Sequence, residues 1–191
     1  MARTKQFNRD EVLDKAKTLF WQKGYHATSV QDLVNHLGIN RGSIYDTFGD
    51  KQQLYNLALA SYQEDQAQFL SKHFEQASSI KMALQTLFEN AYQTLKDKKG
   101  CFIVNCTNEY YNQHPDIGLF LTNNQRFFTK LVGKYIKQGQ DNGEISEEYS
   151  AKELSNFVFT FFSGLQTVAK LDIKKKELKE IIDIGLSKLN H

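Results

Sequence analysis

The sequence predicts an all-α fold of nine helices, three short and then six mostly long. Three observations lead there. Apolar residues recur at helical spacing in nearly every segment of the 191 residues. No stretch alternates apolar and polar residues as a half-buried strand does, and no internal repeat stands out. Capping side chains and glycines punctuate the apolar runs where helix starts and stops are expected. With 40% hydrophobic and 24% charged residues, the chain has the composition of a folded domain.

Asn8, with Glu11 three residues on, caps a first helix carrying Val12, Leu13, Ala16, Leu19 and Phe20. Lys23 lies in its last turn and Gly24 ends it. Thr28 with Gln31 forms a second capping pair around Val30, Leu33, Val34 and Leu37, and Gly38 closes that helix. Asn40 caps a third, Arg41 to about Phe48. Gly49 breaks it, and Asp50 with Gln53 opens a fourth, from about Lys51 to His73. Ile80, Ala83, Leu84, Leu87, Phe88, Ala91, Tyr92 and Leu95 share one face of a fifth, which the charged stretch 96–100 stops. A sixth starts near Cys101 and ends before 112–115. Pro115 suits a first helical turn, so a seventh begins there and carries Leu121, Phe128, Leu131, Val132, Tyr135 and Ile136. It ends by Gly139–Gly143. Ser150 with Glu153 caps the eighth, with a broad stripe from Leu154 to Ala169. The ninth, about Lys174 to Leu189, shows Leu178, Ile181, Ile182, Leu186 and Leu189. Helix length changes near Gly49 without a flexible linker. The expected organisation is a first domain over 1–50 and a second over 51–191, bridged by the fourth helix.

Several classes are excluded. No run of eighteen apolar residues exists, so no transmembrane helix is expected. The N-terminus has no apolar leader, and two cysteines cannot build a disulfide scaffold, so a reducing cytoplasm is expected. The single Pro excludes a collagen-like chain. The five His are scattered at 26, 36, 73, 114 and 191, and His114-Pro115-Asp116 reads as a turn. No HExxH, GxSxG, GxGxxG or P-loop occurs, so no enzyme, metal or cofactor is expected. The net charge is only +2, and residues 1–51 supply all of it, so a phosphate-bearing partner must be argued from motifs.

Leu37-Gly38-Ile39-Asn40 joins the second and third helices. Short helix, tight glycine turn and short helix make the helix-turn-helix pattern, here over about 29–48. On spacing alone an ordinary helical hairpin fits as well. The outward residues shift the balance. Arg41, Ser43, Tyr45, Asp46 and Thr47 are all hydrogen-bonding, and Gly42 lets another surface come close. Lys51 sits in a first helical turn, where the dipole disfavours a cation. Beside free N–H groups it suits a phosphate, although alone it reads equally as a solvated lysine. Thr28 and Ser29 offer the same at the start of the second helix.

The segments Gly24-Tyr25-His26-Ala27-Thr28-Ser29-Val30, Gly38-Ile39-Asn40-Arg41-Gly42-Ser43-Ile44-Tyr45 and Phe48-Gly49-Asp50-Lys51-Gln52-Gln53-Leu54 resemble the TetR family of bacterial transcriptional regulators. The resemblance covers about residues 8–60; beyond them only helix count and order are similar. It implies a homodimer whose N-terminal helices bind double-stranded DNA and whose C-terminal domain binds a small molecule. It also implies that Thr28, Tyr45 and Lys51 hold phosphates, while Arg41, Ser43 and Thr47 face the groove and Gly42 permits close approach. Arg3 and Lys5 would form a basic arm. One departure stands out. Where many relatives carry an aromatic or His and then a His, this chain has Asp46-Thr47. Asp46 is expected to point away from the phosphates or else to accept from a cytosine amino group.

Aromatic residues are abundant after residue 60, and for most of them a packed core is the plain reading. A bundle with scattered Gln, Asn and Thr among aromatics also suits a small apolar or aromatic effector. The resemblance implies a pocket among the fourth to eighth helices, with candidates Tyr62, Gln66, Tyr92, Cys106, Asn108, Tyr110 and Phe128. Cys101 and Cys106 point about 140° apart on a helix, which suits neither a shared zinc nor a mutual disulfide. Both read first as small buried hydrophobes. Cys101 stands at a helix start behind Lys98 and Lys99, where a thiol pKa falls, so thiol oxidation or electrophile attack is an alternative trigger. The stripes of the last two helices fit either burial within one chain or a four-helix interface between two copies. The resemblance favours the second, with Phe157, Phe161, Leu165, Ile181, Ile182 and Leu186 at the interface. The expected function is a repressor released from a palindromic operator by its effector. The rival is a helical carrier or enzyme with no DNA affinity.

Overall fold

The computed structural model describes residues 7–111 and 115–189. Every regular element among them is an α-helix. α1 (Arg9–Lys23), α2 (Val30–Leu37) and α3 (Arg41–Phe48) form a head, and α4 (Lys51–Gln76) leads from it. α5 (Ile80–Glu89), α6 (Ala91–Asp97), α7 (Phe102–Tyr110), α8 (Pro115–Asp141), α9 (Ala151–Val168) and α10 (Lys175–Ser187) follow. α5 and α6 meet at Asn90, which keeps right-handed helical angles (φ −55°, ψ −26°). Counted as one bent helix, they give the expected nine among the described residues.

Four helix starts carry the cap read from the sequence, at Asn8, Asn40, Asp50 and Ser150. Asn40 accepts from the Ser43 N–H at 2.8 Å and Asp50 from the Gln53 N–H at 2.8 Å. Ser150 closes a reciprocal box with Glu153. The second start is shifted by one residue. Ser29, not Thr28, is the cap: its hydroxyl accepts from the Asp32 N–H at 3.0 Å, while the Asp32 carboxylate takes the Ser29 N–H at 2.8 Å. Thr28 is fully buried and donates to the Gly24 carbonyl at 2.6 Å. A buried hydroxyl must find a partner, and that carbonyl supplies it. Gly38 takes the left-handed turn between α2 and α3 (φ 70°, ψ 21°), a conformation that costs other residues free energy.

The core divides in two along α4. One cluster joins the head to the first half of α4 (Leu54, Tyr55, Ala58, Leu59, Tyr62) and to α7 (Phe102, Ile103, Cys106, Tyr110). The head helices therefore do not close their own core; α4 and α7 complete it. The other cluster packs Leu70 and Phe74 of α4 with α5, α6, α8, α9 and α10. Leu165 and Ile182, expected at an intermolecular face, are only 3% and 1% exposed within this cluster. They present no surface to a second molecule, because the chain's own packing already covers them. Phe157, Phe161, Ile181 and Leu186 are half-buried.

Phe88 is fully buried and meets Phe161 edge-on, with ring centroids 4.9 Å apart. Phe88→Ala is expected to lower the unfolding free energy by about 3–5 kcal/mol, read from urea denaturation.

Candidate nucleic-acid interface and the linked cavity

α3 buries Ile44 and Phe48 and exposes Arg41, Gly42, Tyr45 and Asp46. The Arg41 guanidinium lies over the Tyr45 ring, 5.3 Å from its centroid, and donates to the Tyr45 hydroxyl at 3.3 Å. A cation and a phenol thus share one flank of the helix. On the other flank Ser43 and Thr47 are half-buried. The Thr47 hydroxyl oxygen is closed off from solvent, so it is not presented to a groove as expected.

The expected phosphate-facing set separates. Tyr45 and Ser29 are exposed, whereas Thr28 is locked inside as described and does not offer its hydroxyl. Lys51 is half-buried, with its ammonium 4.2 Å from the centroid of the Tyr25 ring, where the π face attracts a cation. Burial pulls its pKa below the usual lysine value, opposed by the nearby Glu109 and Asp32. Arg3 and Lys5 lie outside the described residues.

Tyr25 belongs to a turn held from α7. Glu109, near the end of α7, accepts from the Tyr25 N–H at 3.2 Å and from the His26 N–H at 2.9 Å. Gly24, at φ +80°, lies against the same carboxylate, and a Cβ there would fall 2.8 Å from Oε2. Tyr110 packs on Tyr25 with ring centroids 4.6 Å apart. Just before α7, the Gly100 carbonyl accepts from Trp21 Nε1 at 2.9 Å. α1 and its outgoing turn are therefore fastened at both ends of α7. Glu109 belongs to no capping pattern or motif, so sequence reasoning had no signal to find it.

Other residues of α7, Ile103, Val104, Thr107 and Asn108, line a cavity of about 450 Å³. α4 adds Gln63, Gln66 and Leu70; α8 adds Asn124, Phe127 and Phe128; α9 adds Phe159, Phe162 and Ser163. Among the described residues no Asp, Glu, Lys, Arg or His lines it. The Ser163 hydroxyl is buried among the described residues without a partner. Three of the expected pocket residues, Gln66, Asn108 and Phe128, are in the wall. The other four are not. Tyr62 packs between Trp21 and Phe102, at 5.1 and 5.7 Å between centroids. Cys106 and Tyr110, four residues apart, share the side of α7 that faces the head and are buried there. Tyr92 lies outside the cavity, with the Lys175 ammonium 5.1 Å from its ring centroid.

Cys101, not Cys106, reaches the cavity wall. Burial raises its thiol pKa, against the Val104 and Ile103 N–H groups and the Tyr62 hydroxyl. Burial also pushes the Cys106 thiol up to about 11. The expected lowering at Cys101 does not occur, because desolvation outweighs the helix start. Neither thiol is set up as a reactive thiolate.

Residues 12–58 match the family model of the bacterial regulatory proteins of the tetR family, and residues 81–184 match that of the tetracyclin repressor-like C-terminal domain. The chain belongs to the TetR family. The HTH-type transcriptional regulator YezE of Bacillus subtilis (strain 168) is 29% identical to it over the full length of both chains. The HTH-type transcriptional repressor ComR of Escherichia coli (strain K12) is 30% identical over 94% of this chain and 87% of its own. A cysteine-substituted form of CifR, a TetR family transcriptional regulator complexed with 26-bp double-strand operator DNA, has the same fold. Its TM-score is 0.83 at 23% identity, covering 98% of this chain and 100% of CifR. Membership makes α1–α3 the TetR-family helix-turn-helix head, and the protein a DNA-binding transcriptional regulator rather than an enzyme. No helix among the described residues is long and apolar enough to cross a membrane.

Thr28→Val keeps the side-chain shape and removes the buried hydroxyl, so it is expected to cost about 1 kcal/mol in urea denaturation. The Asp32 carboxyl is held down at about 2 by the Ser29 hydroxyl, then by the Ser29 N–H and Lys23. A folded pKa below the unfolded value adds stability that is complete above about pH 4 and is lost as pH falls towards about 2. Asp32→Asn is expected to flatten that part of the stability curve, followed by thermal melting across the same range.

Proposed function

We propose that the protein is a cytoplasmic, homodimeric repressor. It binds a palindromic double-stranded operator through two copies of α3 and leaves it when an uncharged, apolar or aromatic small molecule fills the cavity. The repressor sense is carried over from ComR, and operator binding from the CifR complex. The observation that carries the reading is the double duty of α7, which lines the cavity with Val104 and Thr107 and grips the head with Glu109. An occupant that presses on Val104 or Thr107 moves a nine-residue helix as a unit and takes the Glu109 carboxylate with it. Release requires only that the occupant prefer the arrangement that does not bind DNA. An uncharged occupant is favoured because no ionic side chain among the described residues lines the wall to pair with a buried charge.

Phe157, Phe161, Ile181 and Leu186 are half-buried, and Ile184 is 68% exposed. This surface supports pairing of α9 and α10 across a two-fold axis. Two α3 helices then meet half-sites about 34 Å apart, one helical turn of DNA. Arg41 and Ser43 serve the groove, with Gly42 allowing close approach, and Ser29, Tyr45 and Lys51 serve the phosphates.

Duplexes selected from a random pool are expected to share a palindrome, and sedimentation is expected to give a dimer. A non-palindromic consensus or a monomer bound alone would contradict the reading. Lys51→Ala is expected to weaken operator binding and to lower the slope of log affinity against log salt by about one. An unchanged slope removes Lys51 from the phosphate set.

A further inference from the structure

The outward face of α3 has an unusual centre. Successive helical residues turn by about 100°, so the direction opposite the buried Ile44 and Phe48 is that of Gly42 and Asp46. These two lie one turn apart on the same face, and both are exposed. Arg41 and Tyr45 flank them on one side, Ser43 and Thr47 on the other. The middle of the exposed face is therefore a position without a side chain followed by a carboxylate. Among the described residues, Asp46 makes no hydrogen bond and no ion pair that would explain it. Packing does not explain Gly42 either. A Cβ there would meet only the Asn40 cap oxygen, at 3.3 Å.

A carboxylate on a helix laid against a polyanion is repelled at the phosphate walls. It gains free energy only at a hydrogen-bond donor on the groove floor, and the centre of the helix face is what points there. The major groove offers two base donors, the adenine N6 and cytosine N4 amino groups. On adenine the amino group adjoins the N7 acceptor, which repels an ionised carboxylate. Cytosine presents its amino group with no neighbouring acceptor on the same base. The bare Gly42 lets α3 sink far enough for the short Asp46 side chain to reach it.

We propose that Asp46 is a specificity-determining residue that accepts a hydrogen bond from the N4 amino group of one cytosine in each half-site. This rests on α3 being the helix that enters the major groove. Gly42 sets the depth of approach, and the phosphates are met by the flanking residues.

The test is selection from a random duplex pool with the full-length wild type, Asp46→Ala and Asp46→Asn. The wild-type consensus is expected to hold one invariant cytosine per half-site that becomes degenerate with Asp46→Ala, all other positions being kept. Asp46→Asn is expected to shift that position towards adenine, which an amide pairs with through two hydrogen bonds. Replacing the C·G pair in the operator is expected to weaken the wild type by about tenfold or more, and Asp46→Ala by less than about threefold. Asp46 is exposed and unpartnered, so matching thermal melts check that both variants fold. The proposal is overturned if Asp46→Ala keeps every base preference, including the case in which it binds all duplexes more tightly by one common factor. A wild type that selects no consensus overturns the recognition role of α3 and this proposal together, and is told apart by the wild-type pool alone.

Discussion

The grip of Glu109 on the turn after α1 is the contact on which the two halves of this protein depend. A turn leaves backbone N–H groups without helical partners, and inside a protein each needs an acceptor. Glu109 supplies one carboxylate for two of them, at Tyr25 and His26. Such bonds are charge-assisted and stronger than amide–carbonyl pairs. The fit is close enough that a Cβ at residue 24 would push the carboxylate aside. The head leaves its core open until α4 and α7 close it, so α7 helps to seat α1 and the turn that follows it.

The consequences run outward from that turn in two directions. Towards α4, Tyr25 carries the Lys51 ammonium on its ring, so the cation at the start of that helix is tied to the segment that Glu109 holds. Towards α8 and α9, α7 reaches the cavity through Val104 and Thr107, and the Trp21 bond to Gly100 anchors its near end to α1. A nine-residue helix thus meets the head on one side and, on the other, a cavity that no ionic side chain among the described residues lines. Cys101 and Cys106 take no part as thiolates, since burial keeps both protonated.

Much of the fold was legible in the sequence, because its signals are local. Caps at Asn8, Asn40, Asp50 and Ser150 and the turn at Gly38 depend on residues within four positions of one another. The family segments are local too, which is why the head is legible in them. Failures came where a distant partner decides. Thr28 reads as a cap from its sequence, but burial takes it inside and leaves the cap to Ser29. Cys106, Tyr110 and Thr107 share one helix, and only its packing against the head sends the first two inward and the third to the cavity. Leu165 and Ile182 belong to stripes wide enough for two contacts, and spacing does not say which residues the chain covers itself. Glu109 is the clearest case, since its partners lie more than eighty residues away in sequence.

Amide hydrogen exchange at Tyr25 and His26, in the full-length protein titrated with the neutral dye N-phenyl-1-naphthylamine, tests the link between cavity and head most directly. The free protein should protect both amides. Filling the cavity, followed by the rise in dye fluorescence, should speed exchange at both by about tenfold or more while core amides of α8 and α9 keep their protection. Saturation of the cavity with both amides exchanging as in the free protein would contradict the link.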